Sequence, residues 1–387
     1  MLNYLLIFIP ITAILEFLVH PGDVPIFICA ALAIVPIAGL MGRSTETLAG
    51  RTGATIGGLL NATFGNATEL IIAFFALRAG KIEVVKASIT GSMIGNILLV
   101  LGLALFLGGL RHKRQTFNAQ SAGALASLLV IVMIAFLVPA LFDLTERANG
   151  IAAEVAGQND YSFSVGASIV LIGLYVCNMI FSLYTHKDLL SSSDNHHEEP
   201  GAWSTPRAIA TLFACTLGVA WLSEVLVGSL EGFSSTLGLS EAFAGLIIIP
   251  IIGNAAEHSA SVFALKNKLD LTIQIALGAT IQIALLVAPA LVLVSGLLGH
   301  RMDLVIRSPL ELAGLLGAAL ITVSVTRDGE TNWLEGAMLL GVYLLLAIAF
   351  YFLPDKKSET SLSPASPSRP VILAHAPRVG PGTRLAT

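Results

Sequence analysis

From Leu2 to Leu353 the chain is an almost unbroken succession of apolar runs, separated by short polar stretches. A helix rising about 1.5 Å per residue needs about 20 apolar residues to cross a hydrocarbon core of about 30 Å. On that measure the pattern predicts eleven helical spans, at about 2–19, 24–41, 54–78, 84–108, 119–142, 163–185, 206–228, 240–265, 270–298, 309–326 and 332–353. The first run lacks the basic leader and small-residue cleavage site of a secretory signal, so it is expected to stay in the mature chain. After Pro354 the composition turns to Ser, Pro, Thr and Arg, and residues 354–387 read as a disordered tail.

Composition agrees with a lipid rather than an aqueous solvent. Of the 387 residues, 55% are hydrophobic and 12% charged, where a soluble domain carries about 25% charged. The expected fold class is an all-α polytopic integral membrane protein with the bilayer as its partner. The net charge of −4 is spread over loops, which predicts no nucleic-acid partner. Cys29, Cys177 and Cys215 lie in apolar runs without paired spacing; they read as packing residues, and no disulfide framework, metal cluster or other cofactor is expected. Ten loop lysines and arginines fall on the N-terminal side and six on the other, leaving out the tail. The bias predicts a cytoplasmic N-terminus, in the inner membrane of a bacterium or a vacuolar-type membrane of a eukaryote.

The chain repeats itself. GNATELIIAFFAL at 65–77 and GNAAEHSASVFAL at 253–265 are identical at seven of thirteen positions, GSMIGNILLV at 91–100 resembles GATIQIALLV at 278–287, and TETLA at 45–49 echoes SEVLV at 223–227. Five spans separate each segment from its counterpart, so the two halves are expected to be five-helix repeats of inverted topology. The predicted organisation is an extra helix at 1–20, a first repeat at 24–185, a short acidic and histidine-containing linker at 186–205, a second repeat at 206–353, and the tail. Repeats of this kind place a substrate near the midplane and work by alternating access.

Each GNxxE segment sets a glutamate deep inside an apolar run. A charge there costs about 2.5–3.5 kcal/mol on insertion scales, and two at equivalent depths point to function. Glu69 and Glu257, with the amide oxygens of Asn66 and Asn254, offer an all-oxygen site of the kind hard divalent cations prefer; zinc or copper would want thiolate or imidazole. Gly57, Gly58 and Gly65 before Glu69, and Pro250 and Gly253 before Glu257, are expected to loosen or break the helices, with helix packing through small residues an equal reading for Gly57 and Gly58. Asn96 and Gln282 on the following helices either line the site or join helices by hydrogen bonds. His258 either tunes proton binding or points elsewhere. Glu46 and Glu224, equivalent in the repeat, read equally as guides for entering cations and as interfacial charges. Protons compete with a metal for the same carboxylates, which is the minimum requirement for exchange.

FGNATELI at 64–71, GSMIGNILLVLG at 91–102 and GNAAEHSASVFALKNKLDLTIQIALGATIQIALLVAP at 253–289 resemble the two signature regions of the calcium/proton exchangers, the CAX group of the calcium/cation antiporter superfamily. The resemblance implies an eleven-helix fold, Ca2+ and H+ as transported substrates, and Glu69 and Glu257 as the ion-binding carboxylates. Rival readings are Na+/Ca2+ exchange, whose branch resembles a GTSxPE pattern missing here, antiport of Mn2+ or another divalent cation, and, more remotely, a channel. An enzyme is not expected: Ser259 and His258 are adjacent rather than spaced for contact. The sequence leaves a homo-oligomer open.

Overall fold

A computed structural model describes residues 2–185, 203–260 and 269–353. The predicted linker lies almost wholly outside these residues, as do the end of the 240–265 span and the whole tail. Among the described residues the chain is helical apart from one two-stranded ribbon, in which Gln115 faces Thr331 and Thr116 faces Glu330.

Helix α1 (Phe8–Ile14) is flanked by a 3₁₀ turn and a π turn, Leu2–Ile7 and Leu15–Val19. There follow α2 (Asp23–Phe64), α3 (Ala67–Arg78), α4 (Ile82–Arg111), α5 (Ala119–Ala148) and α6 (Ala153–Thr185). The rest comprises α7 (Thr205–Gly228), α8 (Leu230–Leu237), α9 (Glu241–Gly253), α10 (Ala255–Ala260), α11 (Leu269–Leu298), α12 (Pro309–Val325) and α13 (Trp333–Tyr351). Side-chain caps start several of them: Asn118 Oδ1 accepts from the N–H groups of Gln120 and Ser121, and Asn332 Oδ1 from those of Leu334 and Glu335.

Among the described residues seven helices are long and apolar enough to cross a membrane: α2 over Asp23–Thr52, α4, α5, α6, α7, α11 and α13. The pair α8 and α9, bent by 117°, makes an eighth if taken as one span, and Asn3–Val19 and Pro309–Val325 are shorter apolar helices. Their outer surface carries large apolar side chains, among them Val170, Phe213 and Leu345, each more than 60% exposed. The interior instead buries Asn66, Glu69, Asn96, Asn254 and Glu257. That inside-out distribution suits a lipid surround.

Three expectations are corrected. The spans predicted at 24–41 and 54–78 are joined by helix rather than loop, α2 running through Arg43 and Arg51 to Phe64. Its axis turns back between them, since a Cβ on Gly57 would meet the Ala49 backbone eight residues earlier. Its hydroxyls are satisfied locally, with Ser44 Oγ donating to the Leu40 carbonyl at 2.7 Å and Thr47 Oγ1 to that of Arg43 at 2.8 Å. Secondly, α6 begins at Ala153, ten residues before the predicted 163, since its polar Asp160 is fully buried against Arg307 at 2.9 Å. Thirdly, Cys177 is exposed on α6, whereas Cys215 is buried as expected.

Two hydrophobic clusters form the interior. One joins α1, α2 and α7–α9 with Ala67 and Ile72 of α3 and Val84 of α4; the other joins α3–α6 and α11–α13 with Val227 of α7 and Leu246 and Ile247 of α9. Across α4 and α9 the backbones touch: a Cβ on Gly91 would fall onto the Leu246 carbonyl oxygen and lie 2.8 Å from Pro250 Cγ, and one on Gly245 would lie 3.1 Å from the Val84 carbonyl oxygen. The turn from α11 to α12 is held by charge. Arg307 reaches Asp160, Asp303 and Asp143 at 2.9, 3.1 and 3.6 Å, and Lys86 meets Asp303 at 2.8 Å. Burial alone would raise the Asp303 carboxyl; Lys86 and Arg307 outweigh it and hold it below the usual carboxylate range. Asp303 therefore stays ionised at neutral pH.

Candidate functional site

The helix carrying each glutamate is broken just before it. Asn66, with φ −109° and ψ 28°, separates α2 from α3, and Asn254, with φ −81° and ψ 20°, separates α9 from α10. Glu69 and Glu257 each occupy the third position of the helix that restarts. The helix α2 continues through Gly57 and Gly58, where it is bent back against Ala49, and the interruption before Glu69 falls at Gly65–Asn66. In the second half a π turn at Ala244–Ile248 and Pro250 precede the break at Asn254.

The two breaks meet. A Cβ added to Gly253 would lie 3.3 Å from Glu69 Cγ, so the carboxylate arm of the first half rests on the bare backbone of the second. Glu69 and Glu257 lie within electrostatic reach of one another. Asn66 Nδ2 donates to Gln282 Oε1 at 2.6 Å, and a Cβ on Gly95 would stand 3.9 Å from Asn254 Nδ2. Glu69, Asn66, Gln282, Gly253 and Asn254 thus lie close together, with Glu257 within reach of Glu69, and buried Asn96 directly follows Gly95.

The neighbouring helices also depart from α geometry at matching places. A π turn spans Gly95–Val100 in α4 and another Ile283–Val287 in α11, within one residue of the alignment of 91–100 with 278–287. A π turn widens the helix and is frequent where a helix serves a site. Asn96 lies in the first, and Gln282 directly precedes the second.

Chemically the cluster is rich in unmet acceptors. Both carboxylate oxygens of Glu69, Oε2 of Glu257, and Oδ1 of Asn66, Asn96 and Asn254 are buried without a hydrogen-bond partner among the described residues. Such atoms cost free energy unless something pairs them. No group of three or more His, Cys, Asp or Glu side chains placed to hold a metal ion is present among the described residues, so any cation here would be held by two carboxylates supplemented by amide or backbone oxygens.

Other candidates lie apart. The His258 imidazole bonds the Ile251 carbonyl, seven residues back across the Asn254 break. Glu224 is exposed at the end of α7, 3.8 Å from Arg78, beside a cavity of about 450 Å³ that Glu16, Asp23 and Trp221 also line. Glu46 is exposed on α2, well along the helix from that cavity. The sequence reading missed the clamp of Asp143, Asp160, Asp303, Lys86 and Arg307; polar residues at 158–161 interrupting an apolar run, with basic residues in a later loop, were the available signal.

The profile of the family described as sodium/calcium exchanger protein matches residues 23–184 and 207–352, and the chain belongs to that family of integral membrane proteins. Among its relatives, a Ca(2+)/H(+) antiporter of Synechocystis sp. is 45% identical over 370 residues, covering 90% of this chain and 96% of its own. A Ca(2+)/H(+) antiporter of Aphanothece halophytica is 44% identical over 365 residues, with the same coverage of 90% and 96%. The solved structure of native YfkE matches with a TM-score of 0.78 at 38% identity, over 91% of this chain and 100% of that one.

Proposed function

We propose that this protein is a secondary antiporter that exchanges Ca2+ for H+, with Glu69 and Glu257 holding either the cation or protons. The observation that carries the reading is the packing of Glu69 onto Gly253, which brings the two carboxylates together among unpaired oxygens from both halves. The relatives' own described activity, Ca2+/H+ antiport, is the same.

The chemistry follows from charge. Two carboxylates neutralise one divalent ion, or bind two protons, and are neutral in either state. Stripped of both, they would leave two buried negative charges, which a low-dielectric interior disfavours strongly. Return of the carrier therefore requires protons, and that couples the two flows. One pH unit supplies about 1.4 kcal/mol per proton, against about 4 kcal/mol for a thousandfold cation gradient. Asn66, Asn254 and Asn96 add neutral oxygens, as calcium's six to eight ligands demand; Gln282 orients Asn66.

The site fits an inverted arrangement of two five-helix repeats, 24–185 and 206–353, after an extra helix at 1–20, with eleven crossings in all and alternating access to the midplane. The paired helix breaks, the matching π turns and the gap between the two matched stretches of the family profile support it. The antiparallel course of α2 and α7, with Asp23 and Val225 lining the same cavity, supports it too. By the lysine and arginine bias the N-terminus is cytoplasmic.

The test is calcium uptake into proteoliposomes under an imposed pH gradient without sodium. Uptake that collapses with a protonophore supports proton exchange; uptake seen only with a sodium gradient removes it.

A further inference from the structure

A cluster of cations lies at the opposite end of the α2–α7 pair from the acidic cavity. Arg43 on α2 and Arg207 on α7 both place their guanidinium groups over the ring of Trp203, at 4.9 and 4.8 Å. Arg51, two turns beyond Arg43, donates through Nη1 to Thr205 Oγ1 at 3.2 Å. All three arginines are exposed, and among the described residues none makes an ion pair. Among the described residues Glu46 is the carboxylate on the same stretch of α2, so three positive charges there stand against one.

Its depth follows from helix geometry. From Asp23 to Arg43 is twenty residues, about 30 Å of rise, which is one hydrocarbon thickness. Arg43 and Arg51 therefore stand at and just beyond the boundary of the apolar layer, where α7 begins and where tryptophan is favoured. Bringing two guanidinium groups onto one indole is electrostatically costly unless an anion lies nearby; the ring face compensates in part.

We propose that Arg43, Arg51 and Arg207, gathered about Trp203, bind the phosphate of an anionic phospholipid in the leaflet at this end of the molecule. The lipid would tie α2 to α7 across their exposed edge. Charge complementarity and interfacial depth select it over a zwitterionic lipid, whose own ammonium would meet the arginines. This site is independent of the transport reading.

The chain has three tryptophans, so the full-length W221F/W333F variant reports on Trp203 alone. It is reconstituted in nanodiscs with phosphatidylcholine or phosphatidylglycerol brominated near the headgroup. Quenching several-fold stronger by the brominated anionic lipid is expected, with the preference lost in R43Q/R51Q/R207Q and reduced in the milder R51Q. Equal quenching by the two lipids, or an undiminished preference in R51Q and the triple variant alike, overturns the proposal. Abolition of the preference by millimolar inorganic phosphate would assign the patch to a soluble anion and overturn it as well. Native mass spectrometry of the unsubstituted protein needs no variant: co-purified lipid enriched in anionic headgroups over the bulk membrane supports the site, and the bulk ratio opposes it.

Discussion

Asn66 and Gln282, 216 residues apart, share a 2.6 Å hydrogen bond in which Asn66 Nδ2 is the donor. The bond fixes which end of the Asn66 amide is spent on a neighbour, and its Oδ1 is left unpaired in the cluster. A net hydrogen bond is worth about 0.5–1.5 kcal/mol. Gln282→Leu is expected to raise the half-saturating calcium concentration about 3- to 10-fold, with a smaller change in maximal rate. Calcium-dependent uptake in proteoliposomes measures both, and an unaltered concentration dependence would make the bond purely structural.

Glu69→Gln and Glu257→Gln should each abolish transport while the protein still folds. Because the Glu69 oxygens are buried without partners, removing the ionisable group relieves a burial cost. The cation-free E69Q variant is expected to melt no lower than the parent. Full transport by both variants would sink the proposed site.

Calcium and protons compete for the same carboxylates, and the metal binds only the deprotonated form. Its affinity must therefore fall as pH falls, by up to about 100-fold per unit when two protons are displaced. Stabilisation by a fixed calcium concentration follows that affinity, so the calcium-induced rise in melting temperature should shrink from about pH 8 to about pH 6. A shift that is constant or grows on acidification contradicts shared occupancy.

Asp160 is fully buried in its pair with Arg307. Removing one partner of a buried pair costs about 3–5 kcal/mol, so Asp160→Asn and Arg307→Gln should each lower the melting temperature strongly. The double variant should lose less than the sum, because the loss of Arg307 then no longer strands the buried Asp160 charge. Additive losses would show that the two residues act apart.

Gly91→Ala is expected to destabilise by about 1–3 kcal/mol, since its Cβ would meet the Leu246 carbonyl oxygen. Gly39→Ala on α2 has nothing within 4 Å of the new Cβ and should be neutral or stabilising by up to about 1 kcal/mol. Thermal unfolding of the two variants separates close packing from a general intolerance of alanine.

Much of the arrangement was legible because the chain states it twice. Glu69 and Glu257 declare themselves as charges in apolar runs, and the repeated GNxxE segments pair them before any coordinates exist. Hydropathy located most apolar helices but failed at Arg43 and Arg51, where charge signalled a loop and helix continued, since hydropathy measures solvent preference and not backbone state. The breaks were expected from Gly253 and Pro250, yet they fall on the asparagines, which tolerate non-helical dihedrals and can bond locally. The π turns at Gly95–Val100 and Ile283–Val287 have no hydropathic signature at all. Asp160 stayed hidden for another reason: its partner Arg307 lies 147 positions away, and long-range pairing leaves no local pattern.

The bare seam between Gly91 on α4 and Leu246 on α9 has a mechanical consequence. Helices normally interlock through side-chain ridges seated in grooves, and to move past one another they must lift out of register. Where backbone lies on backbone there are few teeth to disengage. Separating α4 from α9 would forfeit close dispersion contacts along the seam, but gliding one along the other replaces each contact by a similar one. The seam runs up to Pro250, four residues before the Asn254 break, so it joins the helices that flank both carboxylates as a low-friction rail.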